Sequence, residues 1–479
     1  MNSVRRFSFY RCFFILLGAG CVSLLFQLGV LSAGETGRDT RYYEPVEVPG
    51  DLAGPLLGRK TDQLAAFAWK DNRWQQTLLQ IDERTPEGNF IFTHGKEANK
   101  ADGDGRLDPQ DLIIFMARHA GQAAPPGSQP PDIESILPLE MIDPITGLSR
   151  WLYLAAFTEK AALPAVKPLC EVLITPDQFL LRFPTYDYDA LINYHKKEPI
   201  PTPYINNLTV NKNAGGNEKN IIDRQKVRGQ ISYLGGLMKF QFNEGIISGG
   251  IAAYKPGPIR VLTHSVMYPQ LPLKVKGPKF FIDSILVDTL ALTTTKIKIP
   301  FDPGYLIDEL LLELGMDLTP EAKGMRFYNS TNPKGFLIDG KMEEEEGFDT
   351  SKDNWRLITG PQGTQIMISN IGPKLLQEGT IQTLYRDNEK EPSPPENFKG
   401  HLGAAFDSIR VKGIKAGIYN ITVFGCIPEH FYDPEKFNHV LLEEILSIQD
   451  NPLEIKVGSK RIENSGGKPR MLQGVDIAN

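Results

Sequence analysis

The chain has 479 residues, a formal net charge of −6 at pH 7, 44 glycines, 36 prolines and four cysteines. This length allows one large hydrophobic core or two or three ordinary ones. The acidic balance argues against a protein that binds nucleic acid through phosphate contacts. Many turn-forming residues and few long helical patterns predict a mainly β fold, a large antiparallel β-sandwich with few helices.

Residues 1–34 have the pattern of a Sec-type export signal. Three arginines accompany an apolar run from Cys12 to Leu31, and the small residues 32–34 follow it. The run is long enough to cross a bilayer, so the segment is either a cleaved signal or an N-terminal anchor, with cleavage near Gly34 favoured. Cleavage removes three arginines and no acid, which changes the net charge from −6 to −9. The sequence predicts a periplasmic or extracellular protein that contacts a membrane only through this segment, if the segment is retained.

Two cysteines, Cys170 and Cys426, lie outside the signal segment. An oxidising compartment permits one long-range disulfide between them. Two buried free thiols are the alternative, and the spacing of the cysteines does not decide between the two.

Proline-rich polar segments divide the chain into predicted domains. In chain order these are a signal or anchor at 1–34, an N-terminal β-rich domain at 35–121, a linker at 122–132, a central β-sandwich at 133–386, a second linker at 387–398, a C-terminal β-rich segment at 399–458 and a disordered tail at 459–479. Two helices are predicted, one over PGYLIDELLLELG (Pro303 to Gly315) and one over PEKFNHVLLEEILSI (Pro434 to Ile448).

The segment ADGDGRLDPQD, Ala101 to Asp111, has the ligand spacing of a calcium loop around a central glycine. The predicted metal ligands are four carboxylates and one main-chain carbonyl, from Asp102, Asp104, Asp108, Asp111 and Arg106. Residues 100–111 resemble the calcium loop of EF-hand and dockerin-type modules, which implies a bound Ca²⁺. Lys100 replaces the acid expected at the first ligand position, and Asp111 reaches less far than the usual glutamate. Both departures predict modest affinity.

The same segment also fits a turn without metal. Gly103 and Gly105 accept positive φ, and aspartates in turns bond nearby backbone N–H groups. The density of carboxylates favours a cation, because close carboxylates repel each other. The apolar run LIIFMA that follows is compatible with a helix face or with a buried strand, and we favour the strand.

No metalloprotease, serine-hydrolase, CxxC, phosphate-loop or dinucleotide motif occurs in the chain, so the prediction leans against catalysis. Glycosidases and lyases, however, take paired carboxylates from distant strands and leave no local motif. The candidates for such an acid and base are Asp187, Asp189, Asp223 and His195.

Four segments in the order QIDER, DGDGRLDPQDLIIFMA, IDRQKVR and YKPGPIRVL are similar to exported proteins of Gram-negative bacteria. The strand-rich middle also resembles mutarotase-like sandwiches of carbohydrate metabolism. The leading hypothesis is an exported, calcium-stabilised β-sandwich protein that acts by binding or assembly at the cell envelope, with a glycan or an envelope protein as partner. The alternative is a carbohydrate-active enzyme or carbohydrate-binding protein of the periplasm.

Overall fold

The computed structural model describes residues 41–158, 165–175, 178–193, 200–270, 276–305, 307–341, 355–387 and 402–466. All of them belong to one compact unit, Arg41–Asn479. The predicted signal or anchor segment lies outside the described residues. Within the described part of the chain, no helix is long and apolar enough to cross a membrane.

Twenty-eight strands and two short α-helices make up the described part of this unit. The N-terminal strands are β1 Pro45–Pro49, β2 Leu64–Lys70, β3 Arg73–Thr77, β4 Gln80–Asp82, β5 His94–Gly95, β6 Leu112–Met116, β7 Ser135–Ile142 and β8 Ser149–Ala156. The next are β9 Glu171–Ile174, β10 Gln178–Arg182, β11 Tyr186–Asn193, β12 Ile200–Val210, β13 Ile222–Tyr233, β14 Met238–Asn243, β15 Ile247–Lys255, β16 Arg260–Pro269, β17 Phe280–Val287 and β18 Leu290–Ile299. The last are β19 Ile307–Leu318, β20 Arg326–Asn329, β21 Asn332–Leu337, β22 Trp355–Gly360, β23 Gly363–Ile371, α1 Pro373–Glu378, β24 Gly379–Arg386, β25 Leu402–Lys412, β26 Gly417–Cys426, α2 His439–Asp450, β27 Glu454–Val457 and β28 Lys460–Glu463.

The strands form five sheets, and every pair of neighbouring strands is antiparallel. The strand orders are β21-β20-β22-β23-β26-β18-β17-β16-β15-β5, β14-β13-β19-β25-β24, β12-β11-β10-β9, β1-β6-β4 and β28-β27-β7-β8-β2-β3. This architecture confirms the prediction of a mainly β, antiparallel fold. The run LIIFMA forms the buried strand β6, as predicted.

The ten-stranded sheet is the middle layer of the core, because side chains alternate between its two faces. On β26, Phe424 and Cys426 pack towards the three-stranded and six-stranded sheets and α2. Tyr419 and Ile421 on the same strand pack on the opposite face, against the five-stranded sheet. The four-stranded sheet also lies on that opposite face, through contacts that include Phe179.

The predicted helix from Pro303 to Gly315 is wrong, because this segment enters strand β19 in the middle of the five-stranded sheet. Leu310 and Leu314 are four residues apart, a spacing that suits one face of a helix and equally one face of a strand. The neighbouring strands β13 and β25 supply the hydrogen bonds that decide in favour of the strand. The C-terminal helix is confirmed as α2, where the Asn438 side chain accepts a hydrogen bond from the Leu441 N–H.

The six-stranded sheet combines strands from four predicted segments of the chain: β2 and β3, β7 and β8, β27, and β28 from the predicted tail. The domain boundaries themselves stay predictions. Ordered structure continues to Gly466, past the predicted start of a disordered tail at residue 459. It does so because Asn464 and Ser465 are buried and bond to residues of the first strands.

Candidate functional sites

The acidic loop at 100–111 is held by hydrogen bonds between its carboxylates and the backbone. Asp111 is buried, and its two carboxylate oxygens accept N–H groups from Arg84 at 2.8 Å and Asp108 at 2.7 Å. Asp104 accepts the N–H of Arg106 at 2.8 Å. These bonds use oxygens that a calcium ion would need.

Of the predicted ligands, Asp104, Asp108 and Asp111 are close enough for their charges to act on one another. Asp102 lies in an exposed 3₁₀ turn, and the Arg106 guanidinium donates to the Gly58 carbonyl at 2.6 Å. No group of three or more His, Cys, Asp or Glu side chains in the described ranges is arranged to hold a metal. Calcium binding stays a prediction.

Glu83 is a neighbour of this loop that the loop sequence alone does not reveal. Its carboxylate accepts the N–H of Gly105 at 2.8 Å, where φ is +72°. Burial and the nearby charges of Asp104 and Glu83 raise the pKa of Asp108. Burial is also the main cause that raises the pKa of Asp111 to about 6.

Two of the four segments that carry the resemblance to exported proteins, QIDER and YKPGPIRVL, meet in a buried ion network. Arg260 contacts Asp82 at 2.7 Å and also pairs with Glu47, while Lys255 lies 3.1 Å from Asp82. Burial acts to raise the pKa of Asp82, but the two cations outweigh it and hold the pKa at about 2. The network joins the three-stranded sheet to the ten-stranded sheet, so its role is structural.

The acid and base candidates that the structure describes lie in two different sheets. Asp187 and Asp189 lie on β11, where Arg182 pairs with both of them. Asp223 lies on β13 in a different sheet, and His195 is outside the described residues. Tyr186 is buried in the core and donates to the Val287 carbonyl at 2.9 Å, so its ring is not a surface for sugar stacking.

Both cysteines are free thiols in this structure. Cys170 donates to the Gly257 carbonyl at 2.6 Å, and burial raises its pKa to about 11. Cys426 is fully buried in the ten-stranded sheet. The sequence left open a disulfide or two free thiols, and the structure contains two free thiols.

A polar cluster forms where four segments distant in sequence meet. Arg118 contacts Asp288 at 2.6 Å, and its guanidinium carbon lies 4.9 Å from the centre of the Tyr42 ring. Tyr42 is hydrogen-bonded to Glu429, which is half-buried. Burial is the main cause that raises the pKa of Glu429, and Asp288 adds to it against the opposing charge of Arg118. No local motif marks these residues, because each comes from a different turn.

The second candidate site is a surface that we call the apolar end. It consists of six exposed hydrophobic residues: Leu234, Leu237, Met238, Phe301, Leu376 and Ile418. Their side chains are 47% to 87% exposed, with Leu237 the highest.

Strand register places these residues at the same end of the two facing sheets. Tyr233 at the end of β13 pairs with Ile307 at the start of β19. The N–H of Gly236 in the β13–β14 turn donates to the Asp308 carboxylate at 3.0 Å. Ile299 at the end of β18 pairs with Gly417 at the start of β26.

Four exposed lysines accompany the hydrophobic residues at the apolar end. They are Lys239, Lys298, Lys412 and Lys415. None of the four forms an ion pair with another residue that the structure describes. The apolar end therefore combines exposed hydrocarbon with four lysines that are not in ion pairs, and the carboxylates of Asp302 and Asp308 lie at the same end.

No family model matches the chain, and no curated protein matches it. Solved structures have a faint similarity to it. Heparan sulfate lyase HepC from Pedobacter heparinus is 8% identical with a TM-score of 0.30, over 64% of this chain and 43% of that one. The α-N-acetylgalactosaminidase NagBb from Bifidobacterium bifidum is 9% identical with a TM-score of 0.31, over 60% and 39%.

A putative aldose 1-epimerase from Escherichia coli K12 is 9% identical with a TM-score of 0.26, over 54% of this chain and 99% of that one. The chain thus spans less than half the length of the lyase and of the glycosidase. The similarity to the epimerase is the faint mutarotase-like resemblance that the strand-rich middle of the sequence suggested.

Proposed function

We propose that the protein acts by binding at a membrane surface of the cell envelope, with the apolar end as the contact and anionic lipid as the partner. The single observation that carries this proposal is the apolar end itself, where exposed hydrophobic side chains from separate segments converge among unpaired lysines. Single exposed hydrophobic residues are ordinary on protein surfaces, but contiguous patches mark interaction sites.

The composition of the apolar end suits a lipid surface in two ways. Burying a leucine or phenylalanine side chain is worth about 1.5 to 3 kcal/mol. A lysine close to an anionic membrane adds about 1 kcal/mol. We expect exposed side chains such as Leu237 to enter the interface and the ammonium groups of Lys412 and Lys415 to remain at headgroup level. The resulting binding is reversible and weakens as salt is added.

The lysines also favour lipid over a second copy of the chain. A two-fold contact between two apolar ends would bring the same lysines close to each other. Like charges placed together across an interface cost free energy. This membrane contact is separate from the N-terminal segment, which was the only membrane contact predicted from the sequence.

The test is vesicle binding by the mature chain that begins after Gly34. We expect binding to phosphatidylglycerol vesicles and at least tenfold weaker binding to phosphatidylcholine vesicles. Changing Leu234, Leu237 and Phe301 to Ser should weaken phosphatidylglycerol binding at least tenfold. The matched control is Ile145→Ser with Leu148→Ser, because these residues are equally exposed but lie in the turn between β7 and β8.

Charge is tested with Lys412→Glu and Lys415→Glu together, which should also weaken binding at least tenfold. Lys323→Glu with Lys334→Glu is the control, since these exposed lysines lie near the opposite end of β19. Equal vesicle binding by all variants would refute the proposal. Self-association that the apolar-end variants abolish, without vesicle binding, would reassign the surface to contact between copies of the chain.

A carbohydrate function is the second candidate, and the polar cluster favours it. Glu429 has a raised pKa and lies close to the ionic pair of Asp288 and Arg118. Two carboxyl groups in unlike environments are the usual arrangement for acid and base chemistry at a glycosidic bond. A panel of glycans tests this candidate: Glu429→Gln should abolish binding or turnover, whereas Glu435→Gln, at an exposed position nearby, should not.

A further inference from the structure

We infer that the gap between the five-stranded and ten-stranded sheets takes one hydrocarbon chain of a lipid. This inference rests on the proposed function, because the gap opens at the apolar end. It adds an internal binding site between the two sheets and identifies its ligand as a lipid hydrocarbon chain.

The gap contains a cavity of about 50 Å³. Its lining comes from β18 and β26 on one side and from β19 and β25 on the other, and includes Ile297, Leu310 and Leu312. The lining side chains are aliphatic apart from Thr295 and Tyr419. A cavity of this size has room for a few water molecules, but water there would lack the two to four polar partners that it needs. A hydrocarbon chain needs no such partners.

The burial of side chains between the two sheets decreases towards the apolar end. On β19, Leu318 at the far end is buried, whereas Leu310 and Leu312 are only half-buried although they lie between two sheets. On β18, Leu290 is buried at the far end and Ile299 is half-buried at the near end. The half-buried aliphatic residues thus line a slot that opens at the apolar end and continues into the cavity.

Helix α1 and the start of β26 form the mouth of this slot. Leu375 of α1 and the ring of Tyr419 line the cavity. The Tyr419 hydroxyl donates to Glu378 at 2.5 Å, and Lys374 lies 2.8 Å from Glu378. Exposed Lys415 is adjacent, and its N–H donates to the Tyr419 hydroxyl at 3.2 Å. The mouth therefore places two lysines, Lys374 paired with Glu378 and Lys415 exposed, where the anionic head of a lipid would remain when its chain is inside.

The experiment measures binding of cis-parinaric acid, a fluorescent fatty acid, to the mature chain below the concentration at which the probe aggregates and without vesicles. Leu312→Phe fills the slot and should weaken binding at least tenfold. Leu311→Phe is the matched control, because its side chain points to the opposite face of β19. Ile299→Phe, near the mouth, is a second filling variant in case Leu312→Phe lowers the melting temperature.

Weaker binding by both filling variants, with Leu311→Phe unchanged, supports the inference. Absence of binding, or equal binding by all variants, overturns it. Displacement of the probe by lauric acid alone or by lysophosphatidylglycerol distinguishes a free fatty acid from a phospholipid as the source of the chain. Vesicle binding should survive Leu312→Phe, so a failure of the internal site is distinguishable from a failure of the membrane contact.

Discussion

At the scale of single residues, Arg260 is the most consequential charge in the core. It is fully buried, and its guanidinium lies between carboxylates from β1 and β4. Because a buried ion pair offsets the desolvation of both partners, removing one partner leaves an uncompensated charge in a medium of low polarity. The arginine thereby ties the three-stranded sheet to strand β16 of the ten-stranded sheet.

We therefore expect Arg260→Met to lower the free energy of unfolding by about 3 to 5 kcal/mol. Chemical denaturation measures this change. Arg59→Met is the control, since Arg59 and Glu134 form an exposed pair and such pairs contribute about 1 kcal/mol or less. Similar small losses in both variants would contradict the structural role of the network.

His264 makes stability depend on pH. Its Nδ1 lies 2.5 Å from Asp283, and its ring stacks on Phe281. Burial acts to lower the pKa of His264, but the hydrogen bond and charge of Asp283, with Glu97 further away, outweigh burial and raise it. The folded protein favours the protonated ring. The contribution of His264 to the free energy of unfolding is therefore fully present below the pKa that this histidine has in the unfolded chain. That contribution is lost as pH rises through the higher folded pKa.

The free energy of unfolding should fall as pH rises above about 6.5, the ordinary histidine pKa. His264→Gln should flatten this part of the profile, measured by urea denaturation at closely spaced pH values. His439→Gln, at an exposed position, should follow the wild type. A profile in the His264 variant as steep as that of the wild type would rule out this pair as the cause.

At the scale of elements, the acidic loop depends on a close approach of two backbones. The N–H of Gly50, just after β1, donates to the Asp111 carbonyl at 2.8 Å. A Cβ added to Gly50 would lie 2.0 Å from the Asp108 carbonyl oxygen. Gly50→Ala should therefore cost about 1 to 3 kcal/mol of stability, measured by thermal and chemical denaturation. Gly54→Ala is the matched control in the next turn, where a Cβ meets no atom within 4 Å.

Calcium binding by the loop has its own test. If the loop binds calcium, EDTA should lower the melting temperature, and the double variant Asp102→Asn with Asp104→Asn should remove this effect. A melting temperature that is the same with Ca²⁺ and with EDTA would assign the loop to backbone hydrogen bonding alone. Elemental analysis of the purified protein checks for the ion independently.

At the scale of the whole molecule, the two ends of the described chain are joined by hydrogen bonds. Asn464 donates to Glu44 at 2.7 Å and to the Pro45 carbonyl at 2.9 Å, and it accepts the N–H of Glu47 at 3.0 Å. Ser465 donates to Glu47 at 2.8 Å. Residues beyond the last helix therefore complete the environment of the first strand.

We expect Asn464→Ala to cost about 2 to 3 kcal/mol, because it leaves buried acceptors without donors. We also expect unfolding to remain one transition when followed by tryptophan fluorescence and by far-UV circular dichroism, since one sheet joins strands from four of the predicted segments. Asn213→Ala, at an exposed position, is the control. Two separate transitions would instead support the predicted domain boundaries.

The sequence by itself determined the strand-rich class, the strand at LIIFMA, the helix after Pro434 and the turn at Gly105, because each follows from a local pattern of residues. The strand β19 could not be determined locally, since Leu310 and Leu314 suit a helix and a strand equally. Only the tertiary structure decided which distant groups meet: Arg260 with Glu47, Arg118 with Asp288, and the exposed residues of the apolar end. The physical reason is that antiparallel sheets bring together strands that are far apart in sequence. The free energy of each contact depends on the hydrogen bonds and the desolvation of both residues, so neither segment alone determines it.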